Sequence, residues 1–263
     1  MSKLIQNLIH LLIMVFLVAP LLMVVLVSFT PTSYMEVPLH DFSTRWYSSL
    51  IANSEFMGAM RNSAIFAAIS SLLSVTIAVP AAIAIARQRF PGSAGIKSFL
   101  LSPMMVPAVV LGIAFLKYLS TIGLSSTMLG LVLCHCVVVT PYVLRLTMAA
   151  VGGINRNAEL AATSLGASGF TVFRKVTLPL VLPGVISGAV IAFVTSFDEV
   201  TVTVFVASPG TMTIPVKLLN HINETTDPLA ASASAVLIFV AVAVMLVVEK
   251  YFGLQNVFSG KVR

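Results

Sequence analysis

The stretch Glu159-Leu160-Ala161-Ala162-Thr163-Ser164-Leu165-Gly166, closed ten residues later by Val176-Thr177-Leu178-Pro179, decides how this chain is read. It lies in the one large interruption, 151–179, between two apolar runs that are each long enough to cross a membrane. The alanines favour a short helix and leave a shallow surface that another protein can approach closely. Gly166 permits a sharp reversal. Leu178 and Pro179 return the chain to an apolar run, with proline suited to a helix start.

Working outward, the composition is that of a membrane protein. Hydrophobic residues make up 58% of the 263 and charged residues 9%, against about 25% charged in a soluble domain. A spanning helix needs about 20 mostly apolar residues. Six runs qualify: 8–29, 60–86, 98–119, 128–150, 180–207 and 229–251. Their sum predicts an all-α integral membrane protein with six transmembrane helices, one transmembrane domain over 1–263. The first run is longer than the roughly 7–15 apolar residues of a secretory signal and is followed by no small-x-small cleavage site, so a permanent span is expected. Asp227 and Pro228 predict a capped start for the last.

The basic residues set the orientation. Lys3, Arg87, Arg89, Lys97, Arg145, Arg156, Arg174, Lys175, Lys250, Lys261 and Arg263 fall on one side of a six-span topology, against Arg45, Arg61, Lys117 and Lys217 on the other. An eleven-to-four split puts both termini and the 151–179 loop in the cytoplasm by the positive-inside rule. The net charge of +6 is thus spread as a topology signal and predicts contact with lipid, not nucleic acid. Trp46 and Tyr47, in the outer segment 30–59, are expected as interfacial anchors.

Two acidic residues break the fifth run. Read as continuous helix, it carries Asp198 and Glu199 about 22 Å beyond Pro183. Gly184, Gly188, Ala192, Thr195, Glu199 and Thr203 then share one small, polar face, with Asp198 turned about 100° away. Ionisable groups at such depth mark pathways or pair with neighbouring helices. The first role makes Glu199 and Thr195 path-lining, with Asp198 a second cavity residue or a packed partner; the second makes both carboxylates structural.

Other clusters carry less. Cys134-His135-Cys136 cannot converge on a metal, because successive helical side chains diverge by about 100°. His135 is expected either as an interior hydrogen-bonding group or as a path residue. His10, His40 and His221 have no ligand spacing, and no nucleophile–base–acid set stands out. No G-x-x-x-x-G-K-[ST] phosphate loop occurs in the chain, so ATP chemistry of that kind requires another protein.

Together, the Glu159–Gly166 and Val176–Pro179 pattern, Asn62-Ser63, Pro103, Pro107, Pro141-Tyr142 and Ser196-Phe197-Asp198-Glu199 resemble the inner-membrane permease subunits of bacterial ABC importers. The spermidine/putrescine-type branch is the closest match, over nearly the whole chain. The resemblance implies a coupling loop gripped by a separate ATPase, through Glu159, Ala161, Ala162, Gly166, Ala167, Leu178 and Pro179. It further implies a second, similar permease (a heterodimer), two cytosolic ATPases that hold ATP and Mg, and an extracytoplasmic binding protein. The chain itself is then no enzyme and holds no cofactor or metal. The implied cargo is a small organic solute, with a polyamine, an amino acid and an opine all open; an ATP-independent channel or secondary transporter is the alternative. The chain departs from the family pattern at two points. Leu160 occupies the usual glutamate position six before the glycine, with Glu159 one earlier, and Val176 replaces the usual isoleucine.

Overall fold

A computed structural model describes residues 3–37, 41–87 and 90–252, and twelve α-helices run through them. Of the positions used above, His40, Arg89, Lys261 and Arg263 lie outside the described residues. The chain divides into two compact units.

The first unit comprises 1–59 and 217–247. Helix α1, Lys3–Val27, is apolar all round beyond its first turns, which carry Lys3, Gln6, Asn7 and His10, and has no buried residue, as suits a helix whose neighbours are lipid or another subunit. Helix α2, Arg45–Ala52, is short, and Trp46 on it is a correction to expectation. The indole is 9% exposed and donates to the Thr32 carbonyl at 3.1 Å, while the Tyr47 hydroxyl meets Ser28 at 2.6 Å. A buried indole needs a partner for its N–H, and the 30–34 turn supplies it, so Trp46 props a loop instead of facing a membrane interface.

The second unit comprises 60–216 and, among the described residues, the last turn of the chain at 248–252. Helix α3, Ser54–Arg87, carries most of its length here. The run 98–119 is not one helix. Helix α4, Ser93–Leu101, continues as a 3₁₀ turn to Met104; helix α5, Ala108–Thr121, then leaves at 100°. Pro107 marks the break: it has no N–H with which to continue the preceding helix, it is extended at ψ 131° before α5, and a proline disfavours helical geometry in the residue ahead of it.

Helix α6, Met128–Gly153, is the buried centre of this unit. Beyond it come α7, Asn157–Ser164, and α8, Gly169–Val172. A single π turn, Phe173–Thr177, leads into α9, Leu178–Phe197. Pro179 explains the widened turn, because its ring would strike the carbonyl of Lys175 in a regular helix. Helices α6 and α9 pack through glycine. A Cβ on Gly184 would lie 2.4 Å from the Ala150 Cβ, and one on Gly188 2.9 Å from the Val143 Cα. Small residues that let backbones approach this closely are the usual contact of membrane helices. Helix α3 adds hydroxyl bonds: Ser70 and Ser74 donate to the Val132 and Cys136 carbonyls of α6, at 3.0 and 3.2 Å, and Ser71 to Ala189 of α9 at 3.0 Å.

Short helix α10, Thr203–Val206, follows a break in the fifth run. Helix α11, Ile214–Glu224, and helix α12, Leu229–Phe252, complete the chain. The start of α12 is capped as expected, with Asp227 accepting from the Leu229 N–H at 3.0 Å. Among the described residues four helices have the length and apolarity to cross a membrane (α1, α3, α6 and the run from Gly169 to Phe197), and five do if the bent pair counts as one.

Candidate functional site: the loop between α6 and α9

The loop is built around two local devices. Helix α7 ends in a Schellman turn. Gly166, at φ +84°, donates to Thr163 at 2.9 Å, and Ala167 donates to Ala162 at 3.1 Å. Only glycine takes that backbone conformation without strain, and the two bonds satisfy carbonyls the helix end would otherwise leave open. Ser168 then starts the next turn, its hydroxyl accepting from the Thr171 N–H at 3.3 Å.

Glu159 is turned inward. One carboxylate oxygen lies 3.2 Å from Arg87 Nε, at the end of α3. The other accepts from the Thr177 hydroxyl, in the π turn below α9, at 2.8 Å. Its side chain is 13% exposed. One position on, Leu160 is 53% exposed, with Leu165 at 89% and Phe170 at 70%. The shift of the carboxylate by one residue therefore has a plain consequence: at the position six before the glycine, the loop presents an apolar side chain and keeps the charge inside. Ala161 lies on the surface, Ala162, Ala167 and Leu178 are half-buried, and Pro179 is exposed. Arg87, Thr177, Leu165 and Phe170 escaped sequence reasoning. Arg87 carried one signal, as the first cation after an apolar run, but nothing in the spacing tied it to Glu159.

The second candidate region differs from expectation. Helix α9 stops at Phe197, and Asp198 is its C-cap, donating through its N–H to Val194 at 3.0 Å. Glu199 thus leaves the helix, and the shared face with Gly184 and Gly188 does not exist at that point. Instead a Glu199 carboxylate oxygen accepts from the Val202 N–H at 2.8 Å, holding the turn into α10. Asp198 is exposed, and Thr195 is half-buried on the last turns of α9.

What spans the break is His135. Its Nδ1 lies 2.7 Å from Ser196 Oγ before the break, and its Nε2 2.9 Å from Thr203 Oγ1 after it. All three residues are buried. His135 is therefore the interior hydrogen-bonding group of the two expected roles. Cys134 and Cys136 are buried and unbridged.

Residues 74–263 match the family described as binding-protein-dependent transport system inner membrane component. The chain belongs to this family. Among curated relatives, this transport component is 32% identical over 237 residues to the putrescine transport system permease protein PotI of Escherichia coli K12, covering 88% of this chain and 84% of that one. It is 29% identical over 235 residues to the spermidine/putrescine transport system permease protein PotC of the same strain, covering 89% and 88%. Its fold is similar to that of a subunit in a bacterial ABC transporter involved in importing the acidic polysaccharide alginate, with a TM-score of 0.73, 16% identity and 96% and 99% of the two chains covered. It also resembles a chain of the methionine ABC transporter MetNI, with a TM-score of 0.62, 16% identity, and 84% of this chain and 100% of that one covered. The family and these relatives make the chain a multi-pass membrane protein and a transport subunit, and they do not favour an ATP-independent channel.

Proposed function

We propose that this chain is one permease subunit of an ATP-driven importer for a polyamine-like organic cation. It would cross the bacterial inner membrane six times, with the bent α4–α5 pair as the third span and α12 as the sixth. Both termini and the α6–α9 loop would face the cytoplasm, in keeping with the eleven-to-four division of Lys and Arg. A second, non-identical permease, two ATPases holding ATP and Mg, and an extracytoplasmic binding protein would complete the assembly. ATP closure of the ATPase pair would shift the loop and rock the helices between outward-open and inward-open states.

The loop's surface is the single observation that carries this reading. A Schellman-terminated helix sets Leu160 and Leu165 outward, and Phe170 stands exposed one short turn later. Three large apolar groups clustered in a loop that also holds Arg156, Arg174 and Lys175 fit a protein partner better than lipid tails. The cargo class rests on the two polyamine permeases, with Asp198 and Glu199 at the α9–α10 break as the carboxylates for a cation and Thr195 beside them. Leu165→Asp should release the ATPases from the detergent-solubilised complex while the chain still inserts. Full retention of the ATPases by that variant would overturn the assignment of the loop.

A further inference from the structure

Glu159 is shared between three elements. It belongs to α7, its first oxygen accepts from Thr177 at the foot of α9, and its second faces Arg87 at the end of α3. Both oxygens are thus engaged within this chain. The Arg87 side is incomplete. Its Nε lies at ion-pair distance from the carboxylate without hydrogen-bond alignment, and its Nη2 is buried with no acceptor among the described residues. A guanidinium and a carboxylate form their strongest contact as a two-pronged fork. Here the fork is not formed: Thr177 bonds one oxygen, and neither Nε nor Nη2 of Arg87 makes a hydrogen bond to the carboxylate. A small displacement of α7 that aligned the carboxylate with Nε and Nη2 would complete the fork.

We propose that Arg87, Glu159 and Thr177 form the internal joint through which movement of the α6–α9 loop reaches α3. Arg87 is a positioning residue in this account; it touches neither cargo nor ATPase. Covalent continuity already carries loop movement into α6 and α9, which are locked by the Gly184 and Gly188 contacts. Helix α3 has no covalent connection to the loop; Ser70, Ser71 and Ser74 tie its middle to α6 and α9, and the ion pair ties its end to the loop itself. A carboxylate at the neighbouring position 160 would stand outward, where Leu160 now stands, and could not reach Arg87 with the same backbone. The one-residue displacement of the glutamate is what makes the joint.

The inference rests on the importer reading, and its test separates the two. The assembled complex is reconstituted, and the unaltered protein must first show ATP-dependent uptake; failure there counts against the importer reading alone. Arg87→Gln should then lower uptake per ATP hydrolysed at least tenfold, with the ATPases still bound and ATP hydrolysis continuing. Arg87→Lys should recover part of the loss, and the exchange Arg87→Glu with Glu159→Arg more than either single reversal. Independently of transport, a double-mutant cycle on Arg87→Gln and Glu159→Gln in unfolding of the isolated chain should be non-additive. Additive effects, or wild-type uptake per ATP in Arg87→Gln, would overturn the joint. So would loss of the ATPases from that variant, which would make the residue part of the docking surface.

Discussion

Replacing Gly184 by alanine tests the packing on which loop movement depends. The new Cβ would sit 2.4 Å from the Ala150 Cβ and 3.1 Å from the Leu146 carbonyl oxygen, where ordinary contact begins at 3.4 Å. Both obstacles are close to the α6 backbone and have no flexible end to swing away. Helices α6 and α9 must therefore separate by about 1 Å, a gap that forfeits a quarter to a half of the attraction between the facing atoms. Overpacking of this kind costs about 1–3 kcal/mol, offset by the roughly 0.5–1 kcal/mol by which alanine outdoes glycine inside a helix. The net expectation is a loss centred on about 1 kcal/mol, with outer bounds of about 0 and 2.5 kcal/mol. Gly58 on α3 is the control, since nothing lies within 4 Å of a Cβ placed there; Gly58→Ala should stabilise by about 0.5–1 kcal/mol. Denaturant titration of the purified chain in mild detergent, followed by helical circular dichroism, reads both. Greater stability in Gly184→Ala would refute the close-packed α6–α9 pair.

Other outcomes follow from the same structure. His135→Leu removes two buried interhelical contacts, each worth about 0.6–1.7 kcal/mol in a membrane protein, so unfolding should come about 1–3 kcal/mol earlier; a change below about 0.5 kcal/mol would deny the clasp across the break. Glu199→Gln keeps an acceptor for the Val202 N–H and should leave stability unchanged, whereas Glu199→Leu should cost about 0.5–2 kcal/mol, as loss of a cap does. If Glu199 faces the cargo, uptake of a cation falls in the glutamine variant as well, and unimpaired uptake removes it from the path. Gly166→Ala forces a β-carbon into the left-handed region at about 1–2 kcal/mol, which should show as earlier proteolysis within the loop and weaker ATPase retention. With the two natural cysteines buried, Ser168→Cys should react with a membrane-impermeant reagent only from the cytoplasm, and Ser48→Cys only from outside; labelling of both from one side would overturn the proposed topology.

The helical class, the places of α1, α3 and α6 and the existence of a loop between α6 and α9 were legible in the sequence, because apolar length and glycine and proline chemistry act locally. Asp227 capped the last helix as its neighbours required, and Gly166 turned the chain where its freedom was needed. Three features were not legible. The 98–119 run hid a right-angled break, since hydropathy registers how apolar a segment is and not its direction, although Pro103 and Pro107 were there to be weighed. The fifth run was extended past Phe197 by the apolar residues of α10, and the helical-face argument for Glu199 failed with it. The third was partnership over distance. Arg87 with Glu159, and His135 with Ser196 and Thr203, are separated by 61 to 72 residues, and only the packed fold brings them together. Trp46 shows the same limit, since an aromatic in an outer segment reads as an anchor until the Thr32 carbonyl is seen beneath it.

Reconstitution of the complex into proteoliposomes puts ATP-driven import itself to the test. The chain would be purified with its partner permease and ATPases, the binding protein supplied outside, and radiolabelled putrescine uptake followed with and without ATP inside. Accumulation should require both ATP and the binding protein and disappear when the ATPase is inactivated. Equal uptake without ATP would contradict the importer reading.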